Sequence, residues 1–215
     1  MSDLTVEQQD QEMGLLFILN MFLSSFQQRE FFDMDEGQNI MDQIHNVIEQ
    51  WLELHIPPQK RSCMKGCSAC CYNNPHGITT FDLWVLYHRE ILQLQKHIET
   101  FKNNLERYNS LQHIDRETQQ ISWIKTQTPC PFLENQNCSI YANRPLACRI
   151  HISTLLPEYC HPNHTQFEKT RHIQRSLPEE IYKKFFLKNL HPQDLFGACI
   201  WLLEELKRKP QTKEQ

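Results

Sequence analysis

A mainly α-helical chain is predicted, broken by two irregular cysteine-rich loops, and three observations carry that reading. Apolar residues recur at helical spacing through most of the 215 residues. Only five glycines are present, and runs that alternate apolar and polar residues are few, which argues against a large sheet. The stretches that lack helical periodicity are also the ones that hold eight of the nine cysteines.

Residues 6–32 read as one long helix, with Met13, Leu16, Phe17, Asn20, Leu23 and Phe26 along its length. So broad an apolar face predicts burial on more than one side. Ile40, Ile44, Val47, Ile48, Trp51 and Leu52 repeat at helical spacing and give a second helix, which must end before Pro57-Pro58. The two are expected to form a hairpin. Residues 61–78 form a first cysteine loop. Thr79 with Asp82 three residues on is a capping-box start, although Asp is a weaker partner there than Glu. Leu83, Tyr87, Ile91, Leu94 and Ile98 then make a helical stripe, and Phe101, Leu105, Tyr108 and Leu111 continue it in a further helix. Pro129-Cys130-Pro131 stops any helix. Residues 130–164 are read as irregular, with a helical turn at 139–143. Residues 166–176 and 179–190 read as helices parted by Pro178, and 193–208 as the last helix, with Leu195, Cys199, Leu202, Leu203 and Leu206 on one face. Cys199, Trp51, Trp84, Trp123 and Trp201 are expected in the core. The organisation is therefore an acidic helical hairpin over 1–58, a cysteine domain with C-terminal helices over 59–209, and a disordered tail over 210–215.

Charge is unevenly placed. Residues 1–58 hold Arg29 as their one basic residue against eleven acidic ones, a net −10, while the remainder holds 21 basic and 15 acidic residues, a net +6. A solvated acidic face accounts for this, and contact with the basic remainder or with a basic protein partner is the alternative. Neither half carries the dense basic stripe of a nucleic-acid binder. No apolar run reaches the roughly 20 residues of a membrane span, and the stretch 15–26 follows acidic residues, unlike a signal peptide. The chain is expected to stay in the cytoplasm, where thiols remain reduced.

The cysteines fall into two groups: Cys63, Cys67, Cys70 and Cys71 in CMKGCSACC, and Cys130, Cys138, Cys148 and Cys160 in a run that begins CPFLENQNCSIYANRPLACR. Four cysteines in nine residues pair poorly with one another as disulfides, since the Cα atoms must lie about 4.4–6.8 Å apart with converging side chains. Binding a metal asks only that each sulfur face a common centre about 2.3 Å away. Gly66 and Ala69 let the first loop bend, and Pro131 and Pro145 stiffen the second. All eight are therefore candidate metal ligands. Zinc as closed four-thiolate sites and iron, an iron–sulfur cluster included, both fit the donors. The adjacent Cys70 and Cys71 reach two metal atoms more easily than one. Arg144 and Arg149 flank Cys148; they either stabilise thiolates or form ion pairs within the loop, with the ion-pair reading preferred for Arg144 and the two level for Arg149. His151, His161 and His164 are secondary ligand candidates, because the cysteines already suffice, and Tyr141 is expected to pack against the site.

These motifs, in this order over about residues 60–160, resemble the YkgJ-type or CxxCxxCC family of zinc- or iron-chelating domains. Three residues separate Cys63 from Cys67 where the family's nickname has two. The resemblance implies a metal-binding protein of unassigned activity. The wider family resembles flagellin lysine N-methylase in its cysteine pattern, which implies the alternative of a cluster-dependent enzyme that modifies a protein side chain. No Gly-rich phosphate loop, nucleophile elbow or dinucleotide fingerprint points to other chemistry.

Overall fold

A computed structural model describes residues 4–29, 37–63, 66–73, 78–111, 116–160, 164, 177–187 and 195–208. Helix α1 (Val6–Gln27) begins at a capping box in which Thr5 and Gln8 each take the other's backbone N–H. Only one stripe of it is buried: Leu15, Leu19, Leu23 and Phe26. Met13, Phe17 and Met21, one helical turn apart, are more than half exposed, and Ile18 is exposed beside them. The expectation of burial on several sides is thus corrected. An apolar residue faces solvent when no neighbouring element reaches its side of the helix, and composition alone does not reveal which side is reached.

Helix α2 (Gly37–His55) buries Met41, Ile44, Val47, Ile48, Trp51 and Leu52. Its last residue, His55, places Nε2 2.9 Å from Glu12 near the start of α1, so the two helices run antiparallel. Gly37 has a reason to be glycine. A Cβ there would lie 2.5 Å from the Trp84 ring.

The hairpin rests on α4 (Thr80–Lys96), where every residue from Thr80 to Leu86 is buried. Phe26 meets Phe81 edge-on at 5.3 Å and Trp84 at 4.9 Å. Helix α4 departs from helical geometry at Glu90, whose carboxylate accepts a hydrogen bond from Asn143 at 2.7 Å. Beyond the break, α5 (Ile98–Asn109) buries Phe101, Asn104 and Tyr108. Helix α6 (Arg116–Lys125) was not expected from the sequence. It brings Trp123 against Tyr108 at 5.6 Å and Phe196 at 5.2 Å, where one aromatic anchor holds a helix of weak periodicity.

A two-residue hairpin joins β1 (Leu133–Glu134) to β2 (Asn137–Cys138) in antiparallel register, Leu133 opposite Cys138. A short helix α7 (Leu146–Ile150), also unexpected, follows Pro145. Helix α8 (Glu179–Lys183) is shorter than the 179–190 read from the sequence. It ends in successive turns at Lys184, Phe185 and Phe186 that place Phe185 against Phe81. The expected helix over 166–176 lies outside the described residues. The last helix, α9 (Leu195–Arg208), packs on α5 and α4, with Cys199 fully buried as expected. Trp51, Trp84 and Trp123 are buried in one core, and Trp201 is half-buried at its edge. The protein is mainly α-helical, and among the described residues no helix is long and apolar enough to cross a membrane.

Candidate metal centre

The first cysteine group is shaped by three backbone bonds and one glycine. After Pro57, a single 3-10 turn (Pro58–Lys60) leads to Ser62, whose N–H donates to the Ser153 carbonyl at 2.8 Å. The Ser153 N–H in turn donates to Cys63 Sγ at 3.1 Å, so Cys63 is fastened to the segment before Cys160. Gly66 has φ +91°, a conformation that a side chain disfavours. Ser68 accepts the Cys71 N–H at 2.9 Å, which starts the one-turn helix α3 (Cys70–Asn73). Successive helical residues point about 100° apart, so Cys70 and Cys71 face different parts of the same space. The Cys71 carbonyl accepts the Cys130 N–H at 2.7 Å and joins the two cysteine groups through their backbones.

The second group is delivered by three small elements. Asn135 and Gln136, both at positive φ, close the β1–β2 hairpin as a two-residue loop and present Cys138. Helix α7 presents Cys148, and a 3-10 turn at Pro157–Cys160 presents Cys160. Asp82 sets where α7 starts. Its Oδ2 takes the Thr79 N–H and hydroxyl, each at 2.7 Å, and its Oδ1 takes the Leu146 N–H at 2.7 Å. The capping box read from the sequence therefore also ties α4 to the cysteine region, which explains why a short Asp serves there. Burial pushes the Asp82 carboxyl up to about 6 against the pull of these donors.

All eight candidate cysteines, Cys63, Cys67, Cys70, Cys71, Cys130, Cys138, Cys148 and Cys160, line one cavity of about 80 Å³. Neither the eight nor Cys199 forms a disulfide. The rest of the wall includes Phe132, Ile140, Pro145 and Leu195, with Arg144 and His151 as its basic side chains and no carboxylate among the described residues. Among the described residues, no three Cys, His, Asp or Glu side chains converge as a ready ligand group on one point. The sulfurs surround a volume.

That wall is hostile to bare thiolates. Burial pushes Cys130 up to about 12 and Cys148 well above the ordinary thiol range. Cys63, Cys138 and Cys160 are raised for the same reason. Cys71 is raised chiefly by its hydrogen bond to Cys70. Cys70 is correspondingly lowered to about 7 by that bond, with Arg144 assisting. The proton shared with Cys71 and the nearby Arg144 cation both favour ionisation of Cys70.

Arg144 reverses the preference read from the sequence, and Arg149 takes the ion-pair side of two readings that stood level. Arg144 faces the thiols, stacked 4.3 Å over the Tyr141 ring at the cavity wall. Arg149 turns away and bonds Glu49 of α2 and the Ala142 carbonyl, each at 2.5 Å. The cavity places Tyr141 against the site as expected, although that ring is nearly half exposed. His151 lines the cavity, with burial lowering its pKa. His164 instead contacts Tyr159 at 4.5 Å, and His161 lies outside the described residues. Sequence reading missed the second role of Asp82 and, for Arg149, the partner Glu49 that makes its ion pair an anchor to α2. Neither had a local signal beyond the Thr-x-x-Asp spacing.

The fold and site define a helical protein that gathers two distant cysteine groups around a single cavity. The chain belongs to the CxxCxxCC family, described as a putative zinc- or iron-chelating domain, whose model matches residues 62–176. Neither a search of curated proteins nor one of solved structures found a match.

Proposed function

We propose that this chain binds zinc or iron through Cys63, Cys67, Cys70, Cys71, Cys130, Cys138, Cys148 and Cys160. The observation that carries the reading is that all eight wall one cavity that no carboxylate lines among the described residues. Such a donor set suits soft or borderline metals and is wrong for magnesium or calcium, which need oxygen. Burial resists ionisation of these thiols, and a bound cation supplies the charge that makes several thiolates stable side by side. Arg144 is too little for that on its own.

Eight donors are twice what one tetrahedral ion takes. The cavity of about 80 Å³ is also several times the roughly 10–15 Å³ that one water needs. Both observations favour two ions or an iron–sulfur cluster over a single ion. The bound metal would supply the positive charge of the site, and the chain's part is to enclose it. Phe132, Ile140 and Leu195 keep the surroundings apolar, Arg144 balances excess negative charge, and the Cys71–Cys130 backbone bond holds the two groups in register.

The test is elemental analysis of the reduced, anaerobically purified protein together with its visible spectrum. Zinc or iron at one or more equivalents is expected. A brown iron–sulfur absorption identifies a cluster, and a colourless zinc protein identifies ions. Protein that holds neither metal, and takes up neither from solution, refutes the proposal.

A further inference from the structure

The first cysteine group separates two spaces. The thiol cavity lies on its inner side. On its outer side lies a cleft of about 370 Å³, within the range of about 300–1,000 Å³ typical of ligand sites. Cys67 and Ala69 line both spaces, and Cys67 is the one cysteine of the eight that does so. The two walls differ in chemistry. The inner one is mostly sulfur and hydrocarbon, with Asn137, Arg144 and His151 among its polar side chains, whereas the outer one offers oxygen donors from Glu158, Ser68, Gln127 and Gln136. The Ser68 hydroxyl donates to Gln136 Oε1 at 2.7 Å and spans the cleft from the cysteine loop to the hairpin turn. Gln127 has φ +50° and Gln136 φ +65°; they are two of the three non-glycine residues at positive φ among the described residues, and both line this cleft. Such conformations are disfavoured where a Cβ is present and concentrate at ligand-handling sites.

Resting on the metal-binding reading above, we infer that this cleft is the exchange port of the metal centre. A divalent cation is first held by the Glu158 carboxylate and the neighbouring oxygens. It then passes inward by trading an oxygen ligand for the Cys67 sulfur, and the Cys67 thiol proton leaves to water. Release runs the same steps in reverse. Oxygen donors hold a borderline metal weakly and let it go, whereas thiolates hold it firmly, so this order gives an entrance that does not trap its cargo. Glu158 lies two residues before Cys160, and the 3-10 turn that delivers Cys160 to the cavity therefore also presents the carboxylate to the cleft.

Two measurements on the full chain test this, the first on zinc-loaded protein and the second on metal-free reduced protein. Limiting iodoacetamide followed by peptide mass spectrometry should modify Cys67 ahead of the other seven. Zinc uptake, timed against a chromogenic chelator and normalised to the zinc each protein finally holds, should slow about thirtyfold in Glu158→Gln, the effect of one lost unit charge on a divalent cation about 4 Å away in water. Glu158 is exposed, so its substitution should leave the fold intact, which circular dichroism checks. Labelling that is uniform or led by another cysteine overturns the inference, as does an unchanged uptake rate in Glu158→Gln. A protein that takes no zinc or iron at all overturns the metal reading itself and this inference with it. Protein that binds metal but fails either measurement overturns this inference alone.

Discussion

Replacing Arg149 with Met tests whether one buried guanidinium locks the cysteine region to the N-terminal helices. The Arg149 side chain is 8% exposed and its partner Glu49 is 37% exposed. The substitution removes hydrogen bonds to Glu49 and to the Ala142 carbonyl, each at 2.5 Å, and a bond to a charged group is worth about 1.5–3 kcal/mol. Two effects reduce the sum. Met keeps much of the aliphatic packing and avoids burying a charge. Glu49 can turn to water and does not remain as an unpaired buried anion. The expected loss is about 2 kcal/mol, with the pair's own coupling about 1 kcal/mol, between the values for exposed and buried pairs. Denaturant unfolding of wild type, Arg149→Met, Glu49→Gln and the double variant gives that coupling directly. All four must carry the same metal load, because bound metal shifts apparent stability. A second readout needs no unfolding. His45 is held down at about 3 by burial and then by the charges of Arg149 and Arg89, so its NMR titration should move up in Arg149→Met. A variant as stable as wild type, with zero coupling and an unmoved His45, refutes the reasoning.

Gly37→Ala should destabilise by about 1–3 kcal/mol through overpacking against Trp84, although alanine is the better helix former by about 1 kcal/mol; thermal unfolding decides the sign. Phe17→Ser should cost under about 0.5 kcal/mol, as substitutions away from the core do, because that ring is 64% exposed; a loss of several times that would show that the α1 stripe is covered in solution. His45 gives a pH dependence with a definite sign. Its pKa is depressed on folding, so its contribution is fully present above the ordinary 6.5 and is lost as pH falls toward about 3. Relative to His45→Gln, wild type should lose about 1 kcal/mol per pH unit below 6.5. Asp82, raised to about 6, acts oppositely: its contribution is present below 3.8 and is lost as pH rises through 6. Comparing wild type with the His45 variant isolates the histidine from it, and parallel stability curves would count against the burial of His45.

The helices legible in the sequence were those whose apolar stripe matched one buried face. In α2, the residues from Ile44 to Leu52 that predicted the helix are also the ones it buries. The stripe of α5 likewise predicted Phe101 and Tyr108 as core. Helix α1 misled because its apolar residues surround the axis while its neighbours cover a single side. Helices α6 and α7 escaped notice for the opposite reason. They are short, and what holds them is tertiary: Trp123 among distant aromatics for the first, and the Asp82 and Arg149 bonds for the second. Periodicity reports on a helix's own face and is silent about a partner 60 or 100 residues away.

The convergence of the cysteines was legible at the level of groups but not at the level of side-chain roles. Spacing alone placed Cys63–Cys71 and Cys130–Cys160 together, and the structure puts all eight on one cavity wall. The sequence left Arg149 level between a thiolate and an ion-pair role and favoured the ion pair for Arg144, yet Arg144 faces the thiols. Helical geometry settles this. Arg149 directly follows Cys148 on α7 and so points about 100° away from it, toward α2. Arg144 lies before the helix, where Pro145 redirects the chain and the Tyr141 ring steers its guanidinium over the cavity. The cation that balances the site and the cation that anchors it are thus assigned by the start of a five-residue helix. Asp82 fixes that start from another part of the chain by holding the Leu146 N–H.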